Sequence, residues 1–159
     1  MNKPQDGALT PLEINGAATL ELKIIPTNGG PVLRMLRPDS PLFSNFGELY
    51  FSEVEPGVVK AWKQHSRQTQ HFAVPVGLLK VALFDDRPGS PSRGRVCEVL
   101  LGRPDNYRLL RIPPLVWYGF SAVSPSPALI CNCPDIPHDP TESIRADVDS
   151  PAIPYRWEA

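Results

Sequence analysis

Short stretches in which hydrophobic and polar residues alternate, separated by turns rich in proline and glycine, run along most of the chain. Residues 20–25 (L-E-L-K-I-I) and 46–54 (F-G-E-L-Y-F-S-E-V) alternate in the way that is typical of strands with one buried face. Residues 78–84 (L-L-K-V-A-L-F) are mostly apolar and predict a buried strand. Further strands are predicted at residues 32–37, 58–62, 70–76, 96–101, 107–112, 117–123 and 128–133. Strands of this size between such turns predict an all-β chain folded as a jelly roll or another sandwich.

Proline is unusually abundant, with 20 among the 159 residues. Proline interrupts helices, and no segment longer than about ten residues shows a helical period without a proline or glycine. The length suits one domain, so we expect a single domain over residues 1–159 with an N-terminal arm at 1–18. The last part of the chain is acidic and rich in proline but contains Tyr155 and Trp157. Because these side chains are large, we expect residues 134–159 to wrap around the domain.

The charge and the cysteines narrow the class of protein. Charged residues make up 21% of the chain and the formal net charge is -1, so nucleic acid is not an expected ligand. No apolar run approaches the roughly 18 residues that a membrane span needs, and the first residues lack the pattern of a signal peptide. Among the three cysteines, Cys131 and Cys133 lie at the end of a predicted strand, which indicates structural thiols rather than a zinc site. We therefore expect a cytoplasmic protein that binds neither nucleic acid nor membrane.

Residues 57–77 have the spacing of a known motif. The pattern of Gly, five residues, His-x-His, four residues, Glu, six residues and Gly resembles the first motif of the cupins, barrel proteins that usually bind a metal. Here Lys63 and His65 occupy the two histidine positions, and Gln70 occupies the glutamate position. A transition metal needs about three suitable protein ligands, and lysine and glutamine are poor ones. We expect a cupin-type jelly-roll β-barrel, mostly antiparallel, with a small-molecule pocket and no metal or other cofactor.

Four further segments carry a more specific resemblance. They are F-G-E-L-Y-F-S-E-V-E-P-G-V-V-K-A-W-K from residue 46, D-D-R-P-G-S-P-S-R-G from residue 85, I-P-P-L-V-W-Y-G-F from residue 112 and I-P-Y-R-W from residue 153. Together they resemble the dTDP-4-dehydrorhamnose 3,5-epimerase family, over about residues 29–157. The resemblance implies a homodimeric jelly-roll cupin that binds a nucleotide-sugar without a metal.

The resemblance also implies roles for particular positions. Active enzymes of the family remove protons next to a 4-keto group, with a histidine base in an R-G-L-H segment and a tyrosine acid nearer the C-terminus. K-A-W-K stands in that segment here, so Lys60 takes the place of the arginine and Lys63 takes the place of the base. Tyr118 replaces the histidine of a later H-G-F segment, and His138 falls near the position of the tyrosine. The resemblance therefore implies an altered catalytic site, with little 3,5-epimerisation of dTDP-4-keto-6-deoxyglucose.

Lys63, His65 and Tyr118 are the predicted catalytic residues. Residues two apart in a strand share a face, so Lys63 and His65 point the same way, and the motif places that face inside the barrel. A buried lysine has a lowered pKa and serves as a base or forms a Schiff base, whereas a charged one holds a diphosphate or simply reaches solvent. His65 is a candidate for orienting a ligand or moving protons. Tyr118 is a candidate acid or sugar hydrogen-bond donor, with a core tyrosine as the alternative.

Further residues are predicted to contact the ligand. They are Lys60, Gln70, Glu48, Tyr50, Trp62, Arg87 and His138. Glu48 and Tyr50 share one face of their strand. Trp62 is a candidate for stacking on a base or sugar, with core packing as the alternative. The family resemblance places Arg87 and Asp85 near the pocket, and a turn closed by a surface salt bridge is the alternative.

The predicted function is recognition, with or without isomerisation, of a nucleotide-linked keto-sugar in the synthesis of cell-surface polysaccharides or deoxysugars. This prediction rests on the family resemblance and not on the motif spacing alone. Two alternatives stay open: a non-catalytic cupin that binds sugar nucleotides or regulates, and a partner subunit with a vestigial pocket. A pocket filled by side chains would favour the last.

Overall fold

The computed structural model describes residues 6–158. These residues contain no helix and form thirteen strands. The strands are β1 (Leu9–Pro11), β2 (Ala18–Glu21), β3 (Ile24–Ile25), β4 (Val32–Leu33), β5 (Tyr50–Val54), β6 (Val59–His65), β7 (Gln70–Val76), β8 (Leu78–Asp85), β9 (Val96–Gly102), β10 (Arg108–Ile112), β11 (Val116–Ala122), β12 (Ala128–Asn132) and β13 (Ser143–Arg145).

The longer strands form two antiparallel sheets. The first sheet has six strands in the order β1-β2-β10-β7-β12-β5, and the second has five in the order β13-β6-β11-β8-β9. Strands that neighbour each other are often far apart in the sequence, as in the long connections of a jelly roll. A separate hairpin consists of β3 and β4. The predicted all-β jelly roll of mostly antiparallel strands is therefore confirmed.

The main core lies between the two sheets, and β8 shows how the sequence builds it. Leu79, Val81 and Leu83 have no exposed surface and pack in this core. Ala82 and Phe84 alternate with them and join a second apolar cluster on the outer face. Most residues of the strand are apolar because both of its faces are covered.

The C-terminal segment covers the outer face of the second sheet. Ile153 is buried there, beside Trp62. The ring of Trp62 lies 5.6 Å from that of Tyr155 and 5.5 Å from that of Trp157, measured between centroids. The indole nitrogen of Trp62 donates a hydrogen bond to the carbonyl of Val148 at 3.3 Å. These aromatic contacts hold the end of the described chain against the sheet.

The segment between β2 and β5 covers the outer face of the first sheet. Leu42 is buried there against Leu20 and Leu109. His71 of β7 links this layer to the sheet, since its two ring nitrogens each lie 2.9 Å from a backbone carbonyl oxygen, one of Leu42 and one of Cys133. His71 therefore belongs to the outer packing layer and not to the space between the sheets.

The strand boundaries follow the predictions in the middle of the sheets and depart from them at the edges. β7 spans the predicted residues 70–76, whereas residues 20–25 are divided between β2 and β3, and residues 32–37 shrink to β4. The stretch 46–54 becomes a strand only at Tyr50. Before it, Gly47 packs so closely against Ile136 that a Cβ would come within 2.2 Å of the Ile136 backbone. Periodicity did not predict β1 and β13, since three residues carry too little pattern.

The predicted N-terminal arm, residues 1–18, lies partly outside the described residues. From Leu9 onward it forms β1, which pairs with β2 at the edge of the first sheet. Within residues 6–158 no helix is long and apolar enough to cross a membrane. The three cysteines are free thiols.

Candidate functional site

A cavity of about 380 Å³ lies between the two sheets. Its walls come from β5, β7 and β12 of the first sheet and from β6, β11 and β13 of the second. The lining residues are Tyr50, Ser52, Val59, Lys60, Ala61, Trp62, Lys63, Phe72, Tyr118, Phe120, Ile130, Asn132 and Arg145. This volume falls within the usual range of about 300–1,000 Å³ for small-molecule sites. The filled interior expected of a vestigial pocket is therefore not found.

An irregular pairing between β6 and β11 shapes one wall of the cavity. Tyr118 pairs with Lys63, but the register then shifts, and Phe120 pairs with Lys60. Gly119 therefore faces two residues of β6, which is a β-bulge. A Cβ on Gly119 would lie 2.5 Å from a side chain of β6, so only glycine fits at this crossing.

His65 connects two buried side chains. Its Nδ1 contacts Oε1 of Glu142, and its Nε2 lies 3.0 Å from the hydroxyl oxygen of Tyr118. His65 and Tyr118 are each 6% exposed and Glu142 is 5% exposed. The other carboxylate oxygen of Glu142 accepts hydrogen bonds from the backbone N–H groups of Arg67 and Gln68, each at 3.2 Å. A continuous Glu142–His65–Tyr118 chain thus leads from the turn after β6 to the cavity wall.

The hydrogen-bond partners determine the protonation state of each member of this chain. Burial by itself would raise the pKa of Glu142, but the hydrogen bonds from His65 and the two backbone N–H groups lower it, so Glu142 is a carboxylate. Burial lowers the pKa of His65, and the neighbouring carboxylate only partly offsets this, so the ring is neutral at pH 7. Its proton lies on Nδ1, which faces the carboxylate, and Nε2 accepts a hydrogen bond from Tyr118. Burial raises the pKa of Tyr118, so the phenol does not ionise unaided.

Cationic side chains line the cavity beside this chain. Lys63 and Arg145 are paired across β6 and β13. Neither forms an ion pair with a carboxylate within residues 6–158. Burial and the charge of Arg145 lower the pKa of Lys63, whereas Glu142 raises it. Lys60 also lines the cavity and donates a hydrogen bond to the carbonyl of Glu53 at 2.8 Å. Three cations around one cavity are suited to an anionic ligand group.

Two of the predicted ligand-binding residues meet on the first sheet. Asn132 donates from its Nδ2 to the hydroxyl oxygen of Tyr50 at 2.8 Å and to Oε1 of Gln70 at 2.6 Å. Tyr50 lines the cavity, whereas Gln70 is 1% exposed and is connected to the cavity through Asn132. The structure therefore joins Tyr50 and Gln70 through a residue that the sequence patterns did not indicate.

The other predicted contacts are placed differently. Trp62 borders the cavity, but its ring lies in the aromatic cluster on the outer face of the second sheet. Arg87 does not line the cavity and binds both oxygens of Asp85 at 2.8 Å in the turn after β8. Asp85 has no exposed surface, so this is a partly buried ion pair and not a surface salt bridge. Glu48 and the exposed His138 lie in loops and do not line the cavity.

Three residues of the site were missed by sequence reasoning. Glu142 and Arg145 lie in the acidic, proline-rich part of the chain, where no strand pattern marks β13. Asn132 ends an otherwise apolar strand, and a polar residue in such a strand was the available signal.

The residues at the cupin metal positions are engaged in other interactions. Both ring nitrogens of His65 have partners, and Gln70 is hydrogen-bonded to Asn132 and Gln68. Lys63 stands beside Arg145. No group of three His, Cys, Asp or Glu side chains suited to hold a metal ion occurs in the described part of the chain.

Two known proteins with similar sequences are named for the biosynthesis of glycans or polysaccharides. The chain is 33% identical, over 144 residues, to the probable low-salt glycan biosynthesis epimerase Agl13 of Haloferax volcanii, covering 89% of this chain and 88% of the relative. It is 28% identical, over 146 residues, to the spore coat polysaccharide biosynthesis protein SpsL of Bacillus subtilis, covering 91% of this chain and 96% of the relative.

A solved structure is closer in sequence. The crystal structure of a dTDP sugar isomerase from Desulfovibrio desulfuricans G20 is 61% identical and superimposes with a TM-score of 0.90, over 94% of each chain. No protein-family model matches the sequence.

Proposed function

Because the chain belongs to the dTDP-4-dehydrorhamnose 3,5-epimerase family, we propose that it binds a nucleotide-linked keto-sugar between its two sheets. We propose further that it transfers a proton to and from the carbon next to the keto group. The observation that carries the proposal is the Glu142–His65–Tyr118 chain, whose last member lines the cavity. The solved structure that is 61% identical is that of a dTDP sugar isomerase, which supports a dTDP-sugar as the substrate class.

The cations are suited to the anionic part of such a ligand. A nucleoside diphosphate carries negative charge on its phosphoryl oxygens, and lysine and arginine bind these oxygens through charge-assisted hydrogen bonds. Lys63 and Arg145 lack carboxylate partners within residues 6–158, so their charges are available to a ligand. We assign them, with Lys60, to the diphosphate or to the negative oxygen that develops during proton transfer.

The proton transfer uses the geometry of the Glu142–His65–Tyr118 chain. The C–H bond next to the keto group breaks as its proton moves to the Tyr118 oxygen, and the hydroxyl proton of Tyr118 passes to Nε2 of His65. The electron pair of the C–H bond becomes that of an enolate on the former keto group. His65 becomes an imidazolium, which the Glu142 carboxylate stabilises. The reverse transfers return a proton to the carbon.

Lys63 is the weaker candidate for the base. Although burial lowers its pKa, an anionic ligand beside it would stabilise the charged form and raise the pKa again. Tyr118 needs no such shift, because its proton has an acceptor in His65. Inversion at a carbon requires that the proton leave from one face of the sugar and return on the opposite face, and the Glu142–His65–Tyr118 chain serves one face. We therefore expect isomerisation or exchange, with little 3,5-epimerisation.

The cellular setting follows from the relatives. Agl13 is named for glycan biosynthesis and SpsL for spore coat polysaccharide biosynthesis, which supports a role in making polysaccharides or deoxysugars. We place this role in the cytoplasm as part of the proposal.

We also propose a homodimer. Phe46, Leu49 and Phe51 are 62%, 52% and 64% exposed along and just before the edge strand β5. A second copy would cover these side chains and the open sheet edge.

Solvent exchange tests the function. The protein is incubated in D₂O with dTDP-4-keto-6-deoxyglucose, and the loss of the sugar C3 and C5 proton signals is followed by NMR. We expect exchange by the wild type and a decrease of about 10²-fold or more in Tyr118→Phe, because general acid–base groups contribute about 10²–10⁴-fold. Tyr155→Phe is the matched control, since the Tyr155 hydroxyl bonds Glu98 on the outer face.

Two outcomes would contradict this assignment. Equal exchange by the wild type and Tyr118→Phe would exclude Tyr118 as the proton-carrying group. Exchange that disappears in Lys63→Ala, while the nucleotide-sugar still binds, would show that Lys63 is the base. The replacement of the family's catalytic histidine by Lys63 favours one second candidate, a non-catalytic sugar-nucleotide binding protein. Tight binding without any exchange would support that candidate.

A further inference from the structure

Three buried amide side chains form a line behind Tyr50. We call Gln68, Gln70 and Asn132 the amide chain; they are 4%, 1% and 1% exposed. Asn132 donates to Gln70 at 2.6 Å, and Gln70 donates from its Nε2 to Oε1 of Gln68 at 2.5 Å. Gln68 donates from its Nε2 to the carbonyl of Ile136 at 2.9 Å. The line thus connects a backbone carbonyl near the Glu142 loop to the wall of the cavity.

The two ends of the amide chain determine which way every amide points. At one end the Ile136 carbonyl only accepts, so Gln68 must present its nitrogen there. At the other end the backbone N–H of His71 only donates, at 3.2 Å, so Asn132 must present its oxygen to it. Flipping any one amide would place two donors or two acceptors face to face in a buried site, which is costly. The Nδ2 group of Asn132 therefore always faces Tyr50.

This polarity leaves Tyr50 one role. Its oxygen accepts from Asn132 at 2.8 Å, so its own proton is free to point into the cavity. Tyr50 is 40% exposed, and its partial burial raises its pKa, so this proton is kept at neutral pH.

We propose that Tyr50 determines ligand specificity by donating its proton to an acceptor oxygen of the ligand, and that the amide chain positions it for this role. The proposal deepens the proposed function, on which it rests for the identity of the ligand. Keto and phosphoryl oxygens both satisfy the requirement, because both accept hydrogen bonds and cannot donate them. A ligand with an amino group at this point would leave two donors facing each other.

Binding measurements test the role of Tyr50. The affinities of dTDP and of dTDP-4-keto-6-deoxyglucose are measured by calorimetry for the wild type, Tyr50→Phe, Asn132→Asp and the double variant. Loss of one ligand hydrogen bond predicts binding about 10-fold weaker in Tyr50→Phe. Asn132→Asp has nearly the same shape but turns the Tyr50 proton towards the new carboxylate. We therefore expect Tyr50→Phe to cause no further loss in the Asn132→Asp background.

The two ligands locate the acceptor oxygen. A loss that is equal for dTDP and the sugar nucleotide assigns it to the nucleotide, and a loss confined to the sugar nucleotide assigns it to the sugar. Ser52→Asp is the control for added charge, because Ser52 lines the same cavity on β5 and lies outside the amide chain. Wild-type affinity in Tyr50→Phe would overturn the proposal while leaving the proposed function intact.

Neutron diffraction of the ligand-free, deuterated protein tests the polarity separately. We expect two deuterons on Nδ2 of Asn132, directed at Tyr50 and Gln70, and the Tyr50 deuteron directed into the cavity. A Tyr50 deuteron directed at Asn132 would overturn the proposal. Because this measurement needs no ligand, it tests the direction of the Tyr50 proton even if the wild-type protein binds neither dTDP compound. Failure to bind either compound would reject the proposed function instead.

Discussion

The Glu142→Gln substitution changes a single functional group in the proposed proton path. One carboxylate oxygen of Glu142 accepts from the backbone N–H groups of Arg67 and Gln68, so the amide oxygen of the new side chain must stay at that end. Its NH₂ group then faces Nδ1 of His65. Two donors cannot pair, so the proton of His65 moves to Nε2, which donates to Tyr118. Tyr118 can no longer pass its own proton to His65.

The size of the effect follows from what each contact contributes. Loss of the relay removes a general acid–base contribution of about 10²–10⁴ in rate, which corresponds to about 3–5 kcal/mol in the barrier. Stability falls less. Hydrogen bonds to a charged group are worth about 1.5–3 kcal/mol and neutral ones about 0.5–1.5 kcal/mol, so two weakened backbone bonds cost about 1–3 kcal/mol. The folded protein should therefore persist while exchange is nearly abolished.

Three measurements on the same variant separate these effects. Deuterium exchange of the keto-sugar gives the rate, urea unfolding gives the stability, and ¹⁵N NMR of the histidine ring shows which nitrogen carries the proton. Asp139→Asn is the matched control. Asp139 is a carboxylate of the same loop that contacts Arg67 at the surface and does not touch His65.

The two variants are expected to differ in both the His65 tautomer and the exchange rate. Glu142→Gln should shift the His65 proton from Nδ1 to Nε2 and lose exchange, and Asp139→Asn should do neither. Wild-type exchange in Glu142→Gln would refute the relay. Lost exchange with the His65 proton still on Nδ1 would refute the tautomer argument, and the role of Glu142 would then be purely structural.

Lys63, His65, the edge strand β5 and the Asp85–Arg87 pair can each be tested in the same way. Lys63→Ala should weaken nucleotide-sugar binding by about 1–3 kcal/mol in calorimetry, the range for a lost charged hydrogen bond, and unchanged affinity would exclude a contact with the ligand. Burial lowers the pKa of His65 from 6.5 in the folded state, so the unfolding free energy should be highest above pH 6.5 and should decline as the pH falls from 6.5 towards the folded-state pKa. Exchange should fall only when the pH drops through that lower, folded-state pKa. A fall in exchange when the pH is raised through neutrality would contradict this expectation. Light scattering at micromolar concentration should give twice the mass of the 17.6 kDa chain, with Phe51→Glu shifting it towards one chain, and a wild-type mass of 17.6 kDa would reject the dimer. Asp85→Asn should destabilise the fold by about 3 kcal/mol in urea unfolding. This is the low end of the range for a broken buried ion pair, because Arg87 stays partly exposed. A loss below about 1 kcal/mol would show that the pair contributes no more than a surface salt bridge.

The sequence alone was enough to predict the architecture and one wall of the site. The period of two along the chain and the apolar stretch that became β8 predicted an all-β sandwich, because burial on one or both faces leaves its mark on each strand separately. The motif spacing placed Lys63 on the inner side of β6, and the family resemblance placed Tyr118 beside it. Both residues line the cavity. Such features depend on short segments, which local pattern describes well.

Only the tertiary structure decided what those residues contact. Glu142 lies 77 positions from His65, and Asn132 lies 62 positions from Gln70, so no local pattern connects either pair. The polarity of the amide chain depends on one backbone group at each end. The ring of Trp62 lies in the outer layer because it packs against aromatic residues of the C-terminal segment. Periodicity tells which face of a strand is buried, but the order of the strands decides which buried faces meet. The strand order therefore adds Glu142 to the predicted catalytic residues Lys63, His65 and Tyr118, because it brings the Glu142 carboxylate against His65.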